Sequence, residues 1–217
     1  MTNLKGKFIV FDGNEGCGKS TQARLLHEEL SRRGVESVVV RDPGTTRIGE
    51  MIRQILLDPE NTDIAMRCEM LLYMAARAQM LKQIIQPALA AGKVVISDRF
   101  VSSTLAYQLG GDGLSEAEIM AVGEVAVKQR WPDLVVILDL PVDVSSARAQ
   151  PKFVPATGDL AAAEKDRIEL RSREYHQKVR ENFLRQAQTR KNYRVVDSNR
   201  PPEIVHAEIL KIIDALE

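Results

Sequence analysis

Residues 13–20, GNEGCGKS, place two glycines five positions apart ahead of a lysine and a serine, a spacing suited to cradling a phosphate chain. Gly13 and Gly18 allow a tight turn with inward-facing N–H groups, which a Cβ would obstruct. A helix starting near Lys19 would then aim its unpaired N–H groups and positive dipole end at the same anion. Lys19 can reach the β- and γ-phosphates, and the Ser20 hydroxyl can hold Mg²⁺. The alternative is a glycine turn in a strand-to-helix connection with a solvated lysine. The apolar run FIVF just before the loop supplies the strand that the phosphate reading requires. Two further constellations could do chemistry. Asp98 and Arg99 follow a Val-Val-Ile run, so they fall at a strand's carboxyl end; they fit a catalytic pair or a structural ion pair equally well. Tyr73 and Arg77, four apart, share a helix face, where a flat ring and a forked guanidinium could grip a base or could be a core aromatic beside a surface charge.

The elements that must position these residues can be read in order. After the loop, Ala23, Leu26 and Leu30 recur at helical spacing up to Gly34, predicting a helix over about 19–33. Val38–Val40 reads as a buried strand, and Asp42-Pro43-Gly44 breaks the chain before a helical stripe of Ile48, Met51, Ile52 and Ile55. A long helix spans about 63–91, kinked near Pro87. Val94–Ile96 is the next strand. Ser115 with Glu118 forms a capping-box signature for a helix to about Arg130. Leu134–Leu138 is a fourth strand, a helix covers about 145–150, and the proline- and alanine-rich stretch at about 149–168 reads as a lid segment. A charged helix at 169–190, a strand at 193–196 and an amphipathic helix at 202–216 complete the chain. Strands alternating with helices imply a parallel sheet covered on both faces, with the site at the strands' carboxyl ends.

The 217 residues suffice for a single α/β domain spanning 1–217. Thirty basic residues balance thirty acidic ones, so no global field points to nucleic acid or an anionic membrane. Cys17 and Cys68 lie far apart, unlike a metal cluster, and fit a reducing compartment. The N-terminal residues lack a signal peptide's apolar stretch and no later run could span a bilayer, so the expected location is cytoplasmic.

The P-loop, RDPGTTRIGEMIR, YMAARAQ, SDRFVSSTLAYQ, LDLPVDVSSAR and DRIE, taken in this order, resemble the thymidylate kinase family over nearly the whole chain. That resemblance implies a three-layer P-loop NTPase fold: a five-stranded parallel sheet flanked by helices, with a lid, in a homodimer. It implies γ-phosphoryl transfer from ATP to dTMP with Mg²⁺. By resemblance, Asp98 with Ser20 organises Mg²⁺, Arg99 contacts phosphates between donor and acceptor, Glu15 lies near the acceptor sugar and phosphate, and Arg53 grips the acceptor phosphate. Tyr73 would stack on thymine, where phenylalanine is commoner, and Arg77 would hydrogen-bond the base. Tyr107 would pack against the deoxyribose, with Thr104 and Gln108 near the base. Asn14, Gly16, Cys17 and Thr21 complete the phosphate loop, while Arg148, Asn199 and Arg200 fall on the adenine side.

The chain departs from the family pattern in places. Asp42 and Asp12 stand where glutamate is commoner, and Thr45 replaces a glycine. Gly16 puts no cation in the P-loop, a pattern that elsewhere goes with basic lid residues. Between Arg148 and Arg167 this chain offers only Lys152 and Lys165 as candidate catalytic cations. Arg148 and Arg167, flanking the lid, would either hold its helices or pack beside adenine. Rival readings are another small-molecule kinase, a GTPase switch, or a paralogue with a weakened site. A deoxynucleoside kinase would carry Glu-Arg-Ser at Asp98-Arg99-Phe100, and a GTPase an N-K-x-D motif; neither is present.

Overall fold

The computed structural model describes residues 4–149 and 165–216. Five strands, β1 (Phe8–Asp12), β2 (Ser37–Arg41), β3 (Val94–Asp98), β4 (Leu134–Asp139) and β5 (Tyr193–Asp197), form one sheet in the order β2-β3-β1-β4-β5. Every pairing is parallel. Alternation along β1 divides the core: Phe8 and Val10 join one apolar cluster, Ile9 and Phe11 the other. The second cluster is closed by α1 (Lys19–Arg32) and α9 (Pro202–Asp214), through Leu26, Leu30, Ile209 and Ile213. The opposite face is covered by α3 (Met66–Met80), α5 (Val101–Tyr107), α6 (Glu116–Val127) and α8 (Arg173–Thr189). The register pairs Phe11 with Asp98 and Arg41 with Asp98 across neighbouring strands, which brings the ends of β1, β2 and β3 to one edge.

The strands, α1, the capping box and the closing helix lie where the sequence places them. Ser115 accepts from the Glu118 N–H at 3.2 Å while Glu118 accepts from the Ser115 N–H at 2.9 Å. Other boundaries need correction. The long helix begins at Met66, not near 63, because the Met66 N–H is capped by the Asp112 carboxylate at 2.6 Å. Its irregularity is a π-helical segment over Leu81–Ile85, placed just before Pro87, which then enters the first turn of α4 (Gln86–Ala90). The helix after β4, α7, covers Val142–Arg148 because Pro141 can sit at its N-cap. The charged helix starts at Arg173, where the Ser172 side chain accepts from the Tyr175 N–H; residues 167–170 form a turn. The helix α6 stops at Val127, where Lys128 takes a left-handed conformation. Val101–Tyr107, which no helical stripe marks in the sequence, is a helix almost wholly buried, so no exposed face sets its period. Most of the lid expected at 149–168 lies outside the described residues.

Candidate active site

The loop from Gly13 to Gly18 turns through three positive φ angles, 137°, 66° and 96°, at Gly13, Gly16 and Gly18. A Cβ on Gly13 would lie 2.5 Å from the Leu138 carbonyl, so the close approach to β4 requires glycine. A Cβ on Gly16 would lie 2.8 Å from the Ser145 carbonyl and 3.0 Å from the Ala149 N–H nitrogen. The packing of α7 against the loop therefore leaves no room for a cationic side chain at position 16. No side chain caps α1, so its first-turn N–H groups stay available to an anion. Lys19 is folded onto the loop, donating to the Asn14 carbonyl at 2.6 Å and the Gly13 carbonyl at 3.3 Å. Cys17 is buried beside it, and burial raises its thiol pKa against the pull of Lys19.

Asp98 and Arg99 are part of this site. The Ser20 hydroxyl donates to Asp98 Oδ2 at 2.5 Å, setting two hard oxygens beside the phosphate loop. Among the described residues no group of three or more His, Cys, Asp or Glu side chains could hold a metal. A hydroxyl and one carboxylate nonetheless suit Mg²⁺, which keeps waters and takes its remaining ligands from phosphate oxygens. Arg99 adopts a φ of 73°, a left-handed conformation uncommon for a long side chain and characteristic of functional sites. Its guanidinium donates to the Gly13 carbonyl at 3.1 Å, Ser103 Oγ at 3.0 Å and Tyr107 Oη at 3.3 Å, pairs with Glu15, and reaches Asp12 at 3.4 Å. It also lies over the Tyr107 ring, 5.1 Å from the centroid. Burial opposes its charge, but Glu15, Tyr107 and Asp12 hold its pKa well above the ordinary arginine value.

Asp12, fully buried at the end of β1, accepts from Ser102 at 2.6 Å, Ser103 at 2.7 Å and the Gly13 N–H at 3.0 Å. Burial raises its carboxyl pKa, and Arg99 works against that rise. It thus joins the phosphate loop, Arg99 and the start of α5, a role the sequence reading did not give it.

A cavity of about 520 Å³ opens at this edge. Glu15, Gly16, Gly18, Lys19, Ser20 and Thr21 line one end, with Asp98, Arg99 and Arg148. The other end is lined by Arg53 from α2 (Arg47–Leu57), Tyr73 and Arg77 from α3, and Thr104, Tyr107 and Gln108 from α5 and its end. Residues nominated from separate stretches of sequence thus converge on one space. Burial lowers the pKa of Arg53, with Arg41 adding to the effect, and Arg53 donates to the Pro43 carbonyl at 3.2 Å. Arg77 is fully buried rather than a surface charge: Nε donates to Asp42 Oδ2 at 2.5 Å, Nη1 to Thr104 Oγ1 at 3.2 Å and Nη2 to the Phe100 carbonyl at 3.0 Å. Asp42 is buried too, which raises its pKa against Arg77, and among the described residues its Oδ1 has no partner. Asp42 also precedes a cis peptide bond to Pro43, in the turn that leads into α2.

A second cavity of about 490 Å³ lies behind the loop, lined by Cys17, Thr21, Arg148, Asn199 and Arg200 among others. Arg148 donates to the Ser198 carbonyl at 3.3 Å and to Asn199 Oδ1 at 3.2 Å. Arg200 is paired with Glu208 at 2.6 Å. Arg167 does not share this side; it donates to Glu69 at 2.5 Å and to the Leu56 carbonyl at 3.2 Å. Lys165 is exposed and does not line the main cavity, and Lys152 lies outside the described residues. Asp42, Asp166, Ile168 and Leu57 also line the cavity, although the sequence assigned none of them a role in the site. Asp42 had a signal, since it sits in the turn that precedes Arg53. Asp166 and Ile168 fall within the DRIE stretch, while Leu57 had no local signal.

Among the described residues, no helix is long and apolar enough to cross a membrane. The family model for thymidylate kinase matches residues 11–209. A thymidylate kinase from Pelotomaculum thermopropionicum is 43% identical over 209 residues, 96% of this chain and 93% of its own. One from Ectopseudomonas mendocina is 42% identical over 214 residues, covering 98% of this chain and 97% of its own. The crystal structure of thymidylate kinase from Ehrlichia chaffeensis gives a TM-score of 0.75 at 28% identity, covering 95% of this chain and 98% of that one. With a phosphate loop, a strand-end Asp-Arg pair and an aromatic-arginine wall opening into one cavity, this chain belongs to the thymidylate kinase family.

Proposed function

We propose that the protein transfers the γ-phosphoryl group of Mg-ATP to dTMP, with the phosphate loop holding the donor and the Tyr73–Arg77 end of the cavity holding the acceptor. The observation that carries the assignment is Arg99, which lies between these two ends and bonds both to the loop carbonyl of Gly13 and to Tyr107. An acceptor phosphate is already an anion at neutral pH, so no general base is needed, and catalysis is positioning and charge neutralisation. Lys19 and Arg99 neutralise charge on the transferring group, while Glu15 orients Arg99. Arg53 takes the acceptor phosphate, Tyr73 stacks on the base, and Arg77, fixed by Asp42, presents donors to its carbonyl edge. Thr104 and Gln108 lie beside the base, and Tyr107 crowds the sugar's 2′ position. Asn14, Gly16, Cys17, Gly18 and Thr21 surround the triphosphate, and Arg148, Asn199 and Arg200 take the adenine side. Ser20 and Asp98 would hold Mg²⁺, which supplies charge neutralisation between the phosphates when bound. Lys152 and Lys165 stand as candidates for the cation that Gly16 leaves out of the loop.

The protein is proposed to be cytoplasmic and homodimeric. Met51, Ile55 and Leu71 are 56%, 47% and 52% exposed on α2 and α3, which supports a subunit interface there. A monomeric mass at micromolar concentration in sedimentation would contradict the dimer. The reaction is tested with a coupled ADP assay over a panel of nucleoside monophosphates. dTMP should be fastest, with dUMP weakened by about fourfold for the missing methyl group. Faster turnover of dCMP, UMP or AMP would refute the acceptor assignment.

A further inference from the structure

Glu69 is a fully buried carboxylate one helical turn before Tyr73, with no contact to the phosphate loop among its described bonds. Three donors converge on it. Gln108 Nε2 reaches Oε1 at 2.7 Å, and the guanidinium groups of Arg167 and Arg171 reach Oε2 at 2.5 and 2.6 Å. Gln108 comes from the end of α5, and Arg167 and Arg171 come from the short stretch before α8. Gln108 lines the cavity itself at the end of α5, and Arg167 sits between Asp166 and Ile168, which also line it. Arg167 further closes on the end of α2, its backbone N–H donating to the Leu57 carbonyl at 3.1 Å and its Nε to that of Leu56 at 3.2 Å. Arg171 donates to Tyr175 Oη at 2.5 Å, and that hydroxyl donates to the Tyr107 carbonyl at 2.8 Å.

Taking a carboxylate and two guanidinium groups out of water is costly, and a well-packed apolar cluster of the same volume is often as stable or more so. Stability alone is therefore a weak reason for this arrangement. What a charge cluster offers that an apolar one does not is directional fixing of several elements at once. We propose that Glu69 is a positioning residue for the acceptor nucleotide: it fixes residues 166–168, Gln108 and the end of α2 around the base wall on its own helix. The inference rests on the assignment of this end of the cavity to dTMP.

The test measures binding of dTMP alone and of ATP alone by calorimetry, and steady-state kinetics, for wild type, Glu69→Gln, Arg171→Met and Tyr73→Ala. Glu69→Gln keeps shape and removes the charge. Its Kd and KM for dTMP should rise about tenfold or more, while its Kd for ATP stays within about twofold and kcat at saturation within a few-fold. Arg171→Met retains the Arg167–Glu69 pair and should give a smaller rise in the same direction. A folded Glu69→Gln protein with unchanged dTMP affinity, or with ATP and dTMP weakened in parallel, overturns the proposal. If Glu69→Gln does not fold, Arg171→Met decides, and unchanged dTMP affinity there overturns it. Tyr73→Ala separates the two levels. Unchanged dTMP affinity in that variant refutes the cavity assignment, whereas a loss there with Glu69→Gln unaffected refutes only the role of Glu69.

Discussion

Replacing Arg99 by methionine removes the group that joins both ends of the cavity, and the structure indicates the size of the effect. Asp12 is fully buried and, among the described residues, would keep only the Ser102, Ser103 and Gly13 donors. Breaking a buried ion pair by deleting one partner costs about 3–5 kcal/mol. The long 3.4 Å separation from Asp12 and the remaining donors favour the lower end, about 3 kcal/mol. For a chain of this size that lowers Tm by about 6–12 °C. The dependence on pH follows from Asp12. Its folded pKa lies above its unfolded value, so the stability it contributes is full below the unfolded pKa and is lost as pH rises through the folded one. Without Arg99, which lowers that pKa, the window extends upward, so Arg99→Met should be less destabilised near pH 5 than near pH 8. The rate effect is separable. Loss of a phosphate-stabilising donor typically costs about a hundredfold or more in kcat. Arg99→Lys keeps the charge but not the fork, so it should recover more Tm than rate. Calorimetry across pH and the coupled assay at saturating substrates make both measurements. A folded Arg99→Met protein with kcat within about threefold of wild type would refute the placement of Arg99 on the transferring phosphate.

Lys19→Ala should fold normally, because the loop turns on its glycines, and should lose about a hundredfold or more in kcat; near-normal turnover would remove the loop from the mechanism. In the native protein, iodoacetamide at pH 8 should label the exposed Cys68 well before the buried Cys17, whose pKa is raised. Mass spectrometry of tryptic peptides reads the order, and first labelling at Cys17 would contradict its burial.

The parts of this protein whose physics is local can be read from the order of its residues. A phosphate loop is a run of eight residues in which backbone freedom at Gly13 and Gly18, the helix start and Lys19 act together, so its chemistry can be read without a fold. Four-residue spacing put Tyr73 and Arg77 on one helix face, and the capping box at Ser115 was equally local. Apolar runs separated by helical stripes marked the parallel sheet. Tertiary structure decided which charges stand together. Arg77 meets Asp42 across 35 positions and Arg171 meets Glu69 across 102, and neither pairing leaves a spacing pattern in the chain. The same holds for Asp12, which reads as the last residue of a strand and becomes the anchor of Arg99 only once β1 and β3 pair in register. Gly16 shows both sides of the division. Its identity announced the missing cation, but the reason, the end of α7 packed on its Cα, belongs to the fold.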